Sequence, residues 1–83
     1  MTDENDYLQA LRDHLAGGGE ATLQRAYEIG RRALASGVEL LTLARTHHAA
    51  LDTLLLPAGS PQESARTLAG AAAFFAECIS PYE

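Results

Sequence analysis

Apolar residues recur every three or four positions in four stretches of this chain, and glycine or proline separates each stretch from the next. That period fits an amphipathic helix and not a strand, whose period is two. The first stretch, Asp3 to Ala16, sets Tyr7, Leu8, Leu11 and Leu15 on one face. Gly17, Gly18 and Gly19 follow, and three glycines cost too much backbone entropy to continue a helix. The second runs from Glu20 to Ser36. Leu23, Ala26, Tyr27, Gly30, Ala33 and Leu34 form its stripe, Gln24, Arg25, Glu28, Arg31 and Arg32 face water, and Gly37 supplies the stop. The third, Glu39 to Leu56, carries Leu40, Leu43, Ala44, His47, Leu51 and Leu54, with Leu41, His48 and Leu55 flanking and Pro57 and Gly59 closing it. Ser60-Pro61-Gln62-Glu63 opens the fourth as a capping box with proline in the first turn, and Pro81 interrupts it after Ser80. No run of alternating β-branched residues competes. The expectation is an all-α fold, a small antiparallel four-helix bundle formed by residues 1–83 as one domain.

The fourth helix departs from the one-sided pattern. Ala65, Leu68, Ala72, Phe75 and Ile79 form one apolar stripe, and Thr67, Ala71, Phe74 and Cys78 form another on roughly the opposite side. Between Thr67 and Ala76 no residue is charged. A helix apolar all round is buried all round, and a chain of 83 residues has a thin core with which to bury it. We therefore expect the first stripe to serve the chain's own core. The second, Thr67, Ala71, Phe74 and Cys78, is then expected to meet an equivalent helix in a homodimer, with Gly70 and Ala71 allowing close approach. The competing expectation is that the chain folds back and shields Phe74 internally. Gly30, central in the second stripe, is expected to mark a close helix contact, since an interior glycine otherwise costs about 1 kcal/mol relative to alanine.

Charge narrows the partners. The net charge of −5 argues against nucleic acid, whose phosphate backbone needs a basic face. Met1 to Asp6 is acidic and polar, unlike a signal peptide, and Thr67 to Ala76 is too short and too rich in alanine and glycine to span a bilayer. One cysteine cannot form an internal disulfide. The expectation is a cytoplasmic protein that meets neither nucleic acid nor membrane.

Catalytic constellations are missing from the spacing. The glycine triplet follows a helix and lacks the lysine and hydroxyl of a phosphate loop. His47 and His48 are adjacent, so they diverge by about 100° on a helix and cannot chelate one metal. His47 lies within the apolar stripe and reads as a core or interface histidine bonded to a neighbour; His48 reads as an edge residue. A histidine phosphotransfer protein using His47 or His48 is the alternative from another class. Cys78 has no basic neighbour within a turn, and Glu77 beside it would raise its pKa, so it reads as a packing residue. No enzyme activity, cofactor or metal is expected.

Three stretches resemble a known family. They are Tyr27 to Val38, a helix that ends at Gly37; Leu43 to Leu51, with the pattern L-x-x-x-H-H-x-A-L; and Phe74 to Glu83. Together they look like the N-terminal domain of the bacterial phosphoserine phosphatase RsbU, a helical family related to the clock protein KaiA. The resemblance covers most of the chain from Glu20 onward. It implies a non-catalytic regulatory input domain in bacterial stress signalling that dimerises and receives a protein partner. In RsbU that partner is the switch kinase RsbT, which activates an attached phosphatase. By the same resemblance, and from the ending at Tyr82-Glu83, the chain is expected to be the N-terminal part of a longer protein with a phosphatase or kinase effector.

Overall fold

A computed structural model describes residues 3–56 and 59–83; the expected helix stop at Pro57 lies outside the described residues. Four α-helices are present: α1 (Asp3–Asp13), α2 (Gly19–Ala35), α3 (Leu40–Leu55) and α4 (Pro61–Ile79). A π-helical turn, His14–Gly18, joins α1 directly to α2, and a 3-10 turn, Ser80–Tyr82, continues α4. No strand occurs among the described residues. The all-α class stands. The glycine triplet, however, does not end a helix in a loop. Among the described residues helical turns follow one another from Asp3 to Ala35, kinked where the Gly17 backbone leaves helical φ/ψ, so there are three helical stretches, the first sharply bent. Glycine explains the bend, because Gly17 and Gly19 adopt φ of 103° and 65°, values costly for residues with a Cβ.

The other boundaries follow their local chemistry. Gly37, at φ 82°, closes α2 in a Schellman motif: Val38 N–H donates to Ala33 O at 2.9 Å and Gly37 N–H to Leu34 O at 3.1 Å. At the start of α4 the Ser60 hydroxyl accepts from Glu63 N–H at 3.1 Å, with Pro61 in the first turn. The Glu63 carboxylate reaches back one residue further than a capping box requires, and accepts from Gly59 N–H at 2.8 Å.

The core gathers Tyr7, Ala10 and Leu11 from α1, Ala26 from α2, Leu43 and Ala50 from α3, and Ala71, Phe74 and Cys78 from α4. Phe74 and Cys78 are wholly inaccessible and Ala71 nearly so. The expected dimer stripe is therefore the chain's own interior. Of its four members only Thr67 keeps partial exposure. The reason is room inside the fold. Phe74 slots edge-on against Tyr7, with ring centroids 5.4 Å apart, and lies 5.7 Å from His14. The stripe assigned to the core lies further out: Ala65, Leu68 and Ala72 are exposed, and Phe75 and Ile79 are half-buried.

Gly30 is buried where α2 crosses α4, and a Cβ on it would fall inside the envelope of the Cys78 carbonyl oxygen. The obstacle is backbone and cannot swing aside. Gly30→Leu should lower stability by about 1–3 kcal/mol or more, and Gly30→Ala should also destabilise despite alanine's better helix propensity. Urea melts of both variants check this; a stabilised Gly30→Ala would refute the close approach.

Candidate functional site

The histidines flagged by the sequence are placed by aromatic residues. His47, on α3, is half-buried between α1 and α4. Its ring stacks on Phe75 at a centroid distance of 4.3 Å and meets the Tyr7 ring edge-on at 5.7 Å. The Tyr7 hydroxyl lies 2.5 Å from its Nδ1. Burial raises the Tyr7 pKa, with Cys78 adding to the shift, so the phenol keeps its proton. Burial lowers the His47 pKa, with His48 contributing. A protonated phenol facing a neutral imidazole fixes the bond: the Tyr7 O–H donates to Nδ1, and the imidazole proton sits on Nε2.

His48 points outward and lies 3.5 Å from Asp52 one turn on, both side chains being well exposed. The two adjacent histidines thus occupy different environments. His14 is tied locally. The Thr22 hydroxyl donates to Gly19 O at 2.9 Å, so its single proton is used. His14 Nδ1–H then donates to the Thr22 oxygen at 2.7 Å. This bond clamps the bend between α1 and α2. Thr22 was not foreseen, although its spacing to Ala26 and Gly30, four and eight positions on, marks one face of small residues.

Burial pushes the Cys78 thiol up to about 11, so at neutral pH it stays protonated. Every buried side-chain nitrogen or oxygen among the described residues has a hydrogen-bond partner. Among the same residues no three His, Cys, Asp or Glu side chains converge as a metal site would require. The Tyr7–His47 bond ties α1 to α3, and the His14–Thr22 bond ties the turn after α1 to α2. Among several exposed apolar surfaces, which include Leu34 on α2 and Leu40 and Leu41 on α3, is the outer flank of α4. Leu68 is 47% exposed there, Ala72 is exposed beside it, and Phe75 and Ile79 form its inner edge. No helix among the described residues is long and apolar enough to cross a membrane.

Against known proteins, the chain matches the family model described as phosphoserine phosphatase RsbU, N-terminal domain, over residues 5–82. Neither the curated proteins nor the solved structures yield a match.

The environment of His47 sets a pH dependence. Its folded-state pKa lies below the unfolded value of 6.5, so the unfolded chain binds the proton more readily. Its contribution to stability is complete above that value and is lost as pH falls toward the lowered pKa. Melts between pH 7.5 and 5.5 (about one unit either side of an ordinary histidine) should show wild type losing stability relative to His47→Gln as the solution is acidified. Parallel curves would show that His47 is not held neutral.

Proposed function

The chain belongs to the RsbU N-terminal domain family, and we propose that it is a non-catalytic regulatory input domain controlling an attached phosphatase or kinase in bacterial stress signalling. The family match, which spans nearly the whole chain, carries this reading. The interior agrees with it, because the chemically capable groups Tyr7, His47 and Cys78 are committed to packing. In this reading α1 to α4 work as an antiparallel four-helix bundle, and the bundle pairs with a second copy and receives a switch-kinase-like protein.

The pairing face is the outer flank of α4, centred on Leu68 and Ala72. An exposed leucine among alanines, with no charge from Thr67 to Ala76, offers a surface that two acidic chains can share without repulsion. The phosphotransfer alternative finds no support: the Nδ1 of His47 is occupied by Tyr7 and its ring is stacked on Phe75.

Two glutamates separate pairing from packing. Leu68→Glu should leave helix content and melting nearly unchanged while converting a dimer into monomers, read by sedimentation. Phe74→Glu should instead unfold the domain, because an unpaired carboxylate would enter a fully closed core at a cost of several kcal/mol. A wild-type monomer at high micromolar concentration, or a dimer indifferent to Leu68→Glu, would refute the α4 flank as the pairing surface.

A further inference from the structure

A cleft of about 430 Å³ opens on a different part of the molecule, between α1, the C-terminal half of α2, the turn after it and the N-terminal half of α3. Its size lies within the ~300–1,000 Å³ typical of small-ligand sites. Ile29, Val38 and Leu43 line it with aliphatic surface. Asp6 and Arg32 also line it, from α1 and α2, and neither forms an ion pair among the described residues. Ser36 and Thr42 add hydroxyls.

The wall carrying Val38 is held in place before any ligand arrives. Gly37 and the Schellman bonds fix the turn from one side. From the other, the Tyr82 hydroxyl donates to the Val38 carbonyl at 2.7 Å. A pre-set wall lowers the ordering cost of binding.

The charges choose the ligand. A simple anion drawn to Arg32 would also face the Asp6 carboxylate, and a simple cation drawn to Asp6 would face the guanidinium. A molecule carrying both charges on an aliphatic body satisfies the two side chains and the apolar lining together. We propose that this cleft binds a small aliphatic zwitterion, an amino acid with an apolar side chain, its ammonium at Asp6 and its carboxylate at Arg32. Recognition involves this chain alone and does not depend on the pairing face on α4. Through Val38 and Tyr82, an occupied cleft would also steady the 3-10 turn at the end of α4.

L-leucine is the probe, titrated at millimolar concentration into the 15N-labelled protein, with amide shifts as the readout. Shifts should cluster at Ile29, Val38, Thr42 and Leu43. Two half-ligands, 4-methylpentanoate without the ammonium and 3-methylbutylamine without the carboxylate, should bind about tenfold more weakly, as expected for one lost charge-assisted contact. Arg32→Gln and Asp6→Asn, both at exposed positions, should keep the wild-type melt and weaken leucine by a similar factor. The proposal is overturned by amides that stay unmoved, by shifts centred elsewhere, by half-ligands that bind as well as leucine, or by variants with undiminished affinity.

Discussion

The packing of this domain depends on how closely α2 approaches α4. At their crossing the Gly30 backbone lies directly against the Cys78 carbonyl, with no room for a methyl group between them. That proximity decides what α4 can turn inward. With α2 this near, the inner side of α4 at the crossing accepts the small Ala71 and Cys78. Phe74 is left to fill the space between Tyr7 and His14. A second glycine faces a softer neighbour on another side of α4: a Cβ at Gly70 would meet the flexible tip of Leu15, in the turn between α1 and α2, which can swing aside. The helix thus receives one neighbour over Gly30 and another over Gly70. Both belong to its own chain.

This explains which parts of the fold were legible in the sequence. Helix positions were, because apolar period and Gly or Pro punctuation are local signals. Gly30 was singled out because a glycine inside a helical stripe is costly unless space demands it. The inward side of α4 was not legible. Both of its stripes are apolar, so hydrophobicity alone could not rank them. The choice rests on a steric fit with Tyr7 and His14, a contact distant in sequence. Gly70 and Ala71 were expected to admit a helix of a second copy; Ala71 instead packs in the chain's own core, and Gly70 faces the tip of Leu15. The glycine triplet failed differently. Composition said that a helix must stop there, and the backbone does leave helical φ/ψ at Gly17, but helical turns resume at once, so the break is a kink and not a loop. Thr22 was overlooked because its hydroxyl marks it as polar. Its value lies in satisfying both His14 and the Gly19 carbonyl at the bend.

The histidines show how a polar residue can belong to a core without acting as a reactive group. His47 offers one flat face to Phe75 and one nitrogen to Tyr7, and a neutral imidazole supplies both. A leucine would bury more apolar area here but would leave the closed-in Tyr7 hydroxyl without an acceptor, a penalty of about 1–3 kcal/mol. The pair therefore pins α1 to α3 at one register. Its directionality adds to helix contacts that area alone would leave free to slide. The same reasoning weakens any transfer chemistry at this histidine, since a nitrogen that organises the core is poorly placed to attack a substrate.

The end of the chain supplies the last link. Pro81 lacks an N–H and cannot extend α4 by another α-turn. The backbone tightens into the 3-10 turn Ser80–Tyr82 instead, and this brings the Tyr82 hydroxyl onto the Val38 carbonyl. Val38 in turn exists as a fixed point only because Gly37 lets α2 end in a left-handed residue. Residues 44 positions apart are thereby joined by one hydrogen bond. The turn that walls the cleft and the turn that ends α4 are joined by that bond. Tyr82 thus ties the turn after α4 to the turn after α2 by a side chain that lies beyond the end of the helix that meets Gly30.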